Sequence, residues 1–148
     1  MELFALWYGL AFGAAAVITY TDIKAYWIPD TPVLILALVN LLALCLDLVR
    51  PSILAVSATI FFFLLLYGLW PDSIGSGDIK LALALAIGCP AGGAWIMTVA
   101  SFLLATIIAL ICWGIKGKTM LPFGPFLLLG WWLSQELHFN WLTAGMGL

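Results

Sequence analysis

The sequence predicts an all-α polytopic membrane protein of six transmembrane helices, and three observations predict it. Of 148 residues, 66% are hydrophobic and only 8% are charged, where an ordinary soluble domain carries about 25% charge. Five Lys or Arg and seven Asp or Glu cannot coat a water-facing surface of this length. Second, the apolar residues come in long stretches separated by short polar or Pro- and Gly-containing breaks. Third, the basic residues fall unevenly among those breaks. A helical crossing takes about 20 mostly apolar residues, so six use about 120 and leave no separate water-soluble domain. Composition excludes a soluble globular domain, a disordered chain and a collagen-like repeat. Few, scattered basic residues and a net charge of −2 argue against a nucleic-acid partner.

The first apolar stretch is Leu3–Tyr20, followed by the polar segment Thr21–Asp30. Ala14-Ala15-Ala16 could mimic a signal-peptide cleavage site. Glu2 in place of a basic leader and 18 apolar residues favour a retained helix instead. The second stretch runs from about Pro32 to Val49 and ends at Arg50-Pro51. The third is Ile53–Trp70, closed by Pro71-Asp72. Ile79–Gly114 is too long for one span, and Gly88, Pro90, Gly92 and Gly93 divide it into Ile79–Ala91 and Ala94–Gly114. After Lys116 and Lys118, a sixth span starts near Pro125, although its uninterrupted apolar run is only Phe126–Leu133. No internal repeat is evident, and residues 1–148 read as one domain.

Six spans place Lys24, Lys80, Lys116 and Lys118 on one side and only Arg50 on the other. The positive-inside rule makes the lysine side cytoplasmic and puts both termini outside. Trp27, Trp70 and Trp113 then fall near the cytoplasmic boundary, and Trp7, Trp95 and Trp141 near the outer one. Cys45, Cys89 and Cys112 have no C-x-x-C spacing and read as small packing residues, not metal ligands.

So few polar residues remain that each acid can be weighed. Asp47 lies three positions before Arg50, a spacing for a local ion pair. Asp30 and Asp72 flank prolines, where turn or cap roles are expected. Glu136 with His138 reads as a boundary pair unless the sixth helix runs full length, which would carry Glu136 deep into the bilayer. Asp22 and Asp78 stand apart. Both fall at cytoplasmic ends of helices, and Asp78 follows Gly75-Ser76-Gly77, whose glycines permit a tight bend and a close approach. Two nearby carboxylates cannot both ionise easily and so share a proton, which lets one act as base and the other as acid on water. The plainer reading has them capping helix ends and pairing with Lys24 and Lys80.

Three segments carry a resemblance. Asp22-Ile23-Lys24-Ala25-Tyr26-Trp27-Ile28-Pro29-Asp30 resembles the first motif of the type IV prepilin peptidases, an Asp followed six residues later by Ile-Pro-Asn. Gly75-Ser76-Gly77-Asp78-Ile79-Lys80-Leu81 resembles their G-x-G-D motif. Leu121-Pro122-Phe123-Gly124-Pro125-Phe126-Leu127 resembles the segment before their last helix. The resemblance implies an aspartyl endopeptidase of the inner (plasma) membrane that removes the basic leader from pilin or pseudopilin precursors at the cytoplasmic face. It makes Asp22 and Asp78 the catalytic pair, with Pro29, Gly75, Gly77, Lys80, Pro122, Gly124 and Pro125 in support, and implies no metal or other cofactor. Asp30 departs from the family's usual Asn. The Cys-bearing region that larger relatives associate with N-methylation has no counterpart here, so the expectation is a short, peptidase-only form without methyltransferase activity. The competing expectation is a non-enzymatic membrane protein, such as a small transporter or assembly subunit, using Asp22 and Asp78 for ions or packing.

Overall fold

The computed structural model describes residues 2–70, 74–116 and 121–145, with side chains for all of these but 116 and 139–145. Asp72, Lys118 and the Trp141 side chain therefore lie outside the described residues. Six helices follow one another, with no strand among the described residues: α1 (Glu2–Ala25), α2 (Asp30–Cys45), α3 (Ile53–Leu69), α4 (Ser76–Ile87), α5 (Gly93–Lys116) and α6 (Gly124–Gly145). The outer faces are strongly apolar: Phe12, Ile53, Leu54 and Ile115 are all at least 75% exposed. Such a surface is stable against lipid and not against water. By length and composition α1 and α5 are able to cross a membrane. The others are shorter or more polar, and α4, with 12 residues, is only about 18 Å long against a hydrocarbon core of about 30 Å.

Helix boundaries move the polar residues relative to the sequence reading. α1 continues into the polar segment as far as Ala25, so Asp22 occupies its last turn, at the helix end where the sequence reading put it. Tyr26 stops it in the left-handed region (φ 51), with its N–H donating to the Asp22 carbonyl at 2.9 Å. This is a C-terminal cap made without the usual glycine. α2 ends at Cys45, short of the expected Val49. Arg50 and Asp47 do form an ion pair, but off the helix and exposed, with Asp47 at φ 59. Hydrogen bonding to Arg50 holds the Asp47 carboxyl below its ordinary value. Ser52 caps α3, its Oγ accepting from Ala55 N–H. Trp7 is buried within the protein, and its indole N–H donates to Asn40 Oδ1 at 3.0 Å.

α4 is the central element, packed against α2, α3, α5 and α6. Leu81, Ala82, Ala84, Leu85 and Ala86 are buried on it, so its faces are apolar nearly all round, as befits a surrounded helix. Its C-terminal carbonyls need partners, because none exist within the helix. Asn40 Nδ2 donates to the Ala84 carbonyl at 2.8 Å, and Gln135 Nε2 and Trp131 Nε1 donate to the Gly88 carbonyl at 2.7 and 3.3 Å. A Cβ at Gly88 would collide with the Asn40 amide, so glycine permits that close approach. α5 and α6 form the other tight contact, where Gly130 lies against Ser101 and the Met97 carbonyl. Cys89 is buried near Ser134, Cys112 is half-buried and Cys45 is exposed; all three are free thiols.

Candidate active site

The site assembles where the end of α1 meets the beginnings of α2, α4 and α6. After Tyr26 the chain runs extended through Trp27, Ile28 and Pro29. A residue before proline is held in that conformation, and Pro29 itself (φ −71, ψ 140) leads into α2. The strap places Ile28 against two glycines. A Cβ on Gly77 would sit 3.0 Å from Ile28 Cβ, and one on Gly124 would sit 3.2 Å from Ile28 Cδ1. Both glycines thus pack closely against one buried isoleucine, which sequence reasoning left out of its site although the motif contained it.

Asp78 is in the first turn of α4, ahead of the apolar stretch. Gly75 precedes the helix in extended conformation, and Asp78 N–H donates to its carbonyl at 3.1 Å. A carboxylate at this end of a helix is favoured by the unpaired N–H groups and the macrodipole. Even so, Asp78 Oδ1 is buried without a hydrogen-bond partner among the described residues. Burial, and next the charge of Asp22, push the Asp78 carboxyl up to about 6, against a smaller lowering by the Gly75 backbone.

Asp22 has the opposite setting. The C-terminal turn of a helix disfavours an anion, so Asp22 does not serve as a cap. Its Oδ2 accepts the Gly124 N–H at 2.8 Å. Gly124 opens α6, so this N–H is one of those with no partner inside the helix. A Cβ on Gly124 would stand 2.8 Å from the same oxygen. Phe123 anchors the turn by ring contacts to Phe102 at 5.0 Å and Phe63 at 6.5 Å between centroids. Pro125 follows in the first turn of α6, where a missing N–H costs nothing. Pro122 precedes the helix, half-buried.

Asp22 and Asp78 line one cavity of about 260 Å³, together with Ile28, Asp30, Gly75, Gly77 and Lys80. That is room for several waters, each needing about 30 Å³. Neither acid bonds the lysine near it in sequence. Lys24 donates to the Tyr20 hydroxyl at 3.0 Å, and Lys80 reaches across to Asp30 at 2.7 Å. The pairing of Asp22 and Asp78 with Lys24 and Lys80 is therefore excluded, and a link from α2 to α4 that sequence reasoning missed takes its place. Asp30 had no visible partner in the sequence, because Lys80 lies 50 positions away. Glu136 is exposed on α6, which does run through it, and no cluster of three or more potential metal ligands occurs among the described residues.

Comparison with known proteins adds one finding. Neither the curated proteins nor the solved structures contain a match to this chain. The sequence model of the type IV leader peptidase family matches residues 9–113, which include Asp22, the Ile28-Pro29 strap, Gly75, Gly77, Asp78 and Lys80, but not Gly124. With well over half of its 148 residues matched, the chain belongs to the type IV leader peptidase family.

Proposed function

We propose that the protein is an aspartyl endopeptidase that removes the basic leader from type IV pilin-like precursors at the cytoplasmic face of the inner membrane. The observation that carries this reading is the shared cavity. Two acids 56 positions apart in sequence line it, free of the neighbouring lysines, and one keeps a buried carboxylate oxygen without a partner among the described residues. A structural acid in an apolar surrounding is normally paired, so an unpaired one calls for a functional account.

In this reading Asp22, with one oxygen fixed by Gly124 N–H, is the base, and Asp78 holds the proton the pair shares. Asp22 takes a proton from water as the water oxygen bonds to the scissile carbonyl carbon. Asp78 gives its proton to the amide nitrogen as the C–N bond breaks, so that the amine leaves neutral. Paired carboxylates do this without a metal or a side-chain nucleophile. The family name supports a leader-bearing precursor as substrate. The six helices are placed across the membrane with both termini outside, α4 being the shallow one with Asp78 at its cytoplasmic boundary. This follows the lysine distribution. No methyltransferase function is assigned.

The test is leader removal from a pilin-like precursor in membranes holding the wild type, Asp22→Asn or Asp78→Asn. Cleavage by the wild type and none by either variant is the expected result. Metal-dependent cleavage, or full activity in Asp78→Asn, overturns the dyad. Ion flux that depends on both acids, without leader removal, makes the protein a transporter.

A further inference from the structure

A second cavity among the described residues is larger than the one between the two acids. An open groove of about 460 Å³ lies between α2 and α4 and has its own lining. That volume falls within the roughly 300–1,000 Å³ of ligand-binding clefts. On α2 it is formed by residues 30, 31, 33, 34 and 37, and on α4 by residues 80, 83, 84 and 87. Each set repeats at three and four positions, the spacing of one helix face. The two stripes start together at the Asp30–Lys80 pair. They also run the same way, since Asn40 further along α2 bonds Ala84 further along α4.

Beyond the ion pair and Thr31 the stripes are apolar, with Leu34 and Leu83 standing out as walls at 59% and 42% exposure. The floor is small: Ala37 is half-buried and Ala84 fully buried. Small residues of this kind let another helix approach closely within a bilayer. Asp30 and Lys80 line both the groove and the cavity of Asp22 and Asp78. The groove thus begins at the acid cavity and leads about 10 Å away from it along the helices.

We propose that this groove holds the apolar helix of the precursor on the far side of the scissile bond, with the Asp30–Lys80 pair marking where the polar leader gives way to the apolar segment. The proposal rests on the peptidase reading. A precursor whose scissile peptide lies between Asp22 and Asp78 has to lead its apolar segment out of a polar cavity without exposing it to water. The groove is continuous with that cavity, apolar beyond Thr31, and flanked by exposed leucines that a helix would cover.

The experiment places a photo-crosslinking phenylalanine analogue at Leu83, and separately at Leu110 on α5 as a control, in the Asp78→Asn protein in membranes with uncut precursor. The expected result is a precursor adduct at Leu83, mapped to the apolar segment, and little or none at Leu110. In parallel, Ala37→Phe fills the groove. The ratio of kcat/KM for full-length precursor to that for a peptide ending just past the scissile bond should fall about tenfold or more. Adducts only to lipid or to a second copy, or an unchanged ratio, overturn the groove while the peptide's cleavage leaves the peptidase standing. Failure to cut either substrate removes the peptidase reading itself. Should Ala37→Phe not accumulate, the crosslink at Leu83 decides.

Discussion

The two ends of α4 treat polar groups in opposite ways. At the far end, the Ala84 and Gly88 carbonyls are taken up by Asn40, Gln135 and Trp131, and Asn40 is itself completed by Trp7. At the near end, Asp78 Oδ1 is buried with no partner among the described residues, and Asp22 lines the same cavity. A buried polar atom without a partner carries a penalty at either end, although the near end opens on the cavity lined by Asp22, Asp30, Asp78 and Lys80. One end removes that penalty and the other keeps it. The difference separates polar residues that hold the fold from polar residues that remain available for chemistry, and each prediction below acts on one end.

The largest effect belongs to the near end. Asp22→Asn and Asp78→Asn each keep the side-chain shape and remove the titratable proton. Leader cleavage should fall by roughly 10³-fold or more in either, and the double variant should be about as inactive as the singles, because groups that act as a unit do not lose activity additively. Timed cleavage in membranes measures this. Additive losses would separate the two acids.

At the far end the expectation reverses. Asn40→Leu leaves the Trp7 indole N–H and the Ala84 carbonyl unpaired, at about 1–3 kcal/mol each. The protein should lose roughly 2–5 kcal/mol of stability, read as a fall in the unfolding midpoint in detergent. The folded fraction should still cleave. A stable but inactive Asn40→Leu would move Asn40 into the site.

The contrast also predicts that the near end costs stability. Asp78 binds a proton more tightly in the folded protein, near 6, than at the ordinary 3.8. The folded state therefore holds the extra proton between those values, and stability present below about pH 3.8 is lost as pH rises through 6. A rise from 3.8 to about 6, at about 1.4 kcal/mol per tenfold change in proton affinity, amounts to roughly 3 kcal/mol. Asp78→Asn carries no such proton. It should gain on the wild type by up to that amount between pH 4 and 8, with the advantage growing with pH. Thermal melts of both proteins at the two pH values test it. A variant less stable than the wild type at pH 8 would mean that the Asp78 carboxylate is paired.

How much of this was legible in the sequence follows from the range of each interaction. Six helices were read from apolar stretches and breaks, because those signals are local, and α3 starts at Ile53 as expected. The ends of α1 and α2 were missed: Tyr26 caps without a glycine, and α2 stops at Cys45 inside an apolar run with no breaker. Asp22 and Asp78 could be singled out as the acids least explained by neighbours. The Gly124 N–H on Asp22, however, joins residues 102 positions apart, and no spacing rule reaches that far. Asn40 and Gln135 were the visible but unused signal, being uncharged polar residues inside apolar helices. Such residues need buried partners, and the interrupted helix at Gly88 supplied them.

The smallest effect lies at Asp30, on the rim between the two cavities. It is the acid closest to the dyad by sequence motif, and it stands where the resembling family has Asn. Its carboxylate pairs with Lys80, but both side chains are more than half exposed, and such pairs contribute about 0–1 kcal/mol. Asn keeps an oxygen within reach of the lysine and gives up only the charge. Asp30→Asn should therefore cleave within a few-fold of the wild type and melt within a few degrees of it. The outcome sharpens the division drawn along α4, because Asp30 shares the cavity without sharing the buried, unpaired state of Asp78. A loss as deep as that of Asp78→Asn would show that lining the cavity suffices to take part in the proton transfer, and that the unpaired oxygen is not what distinguishes the acting acid.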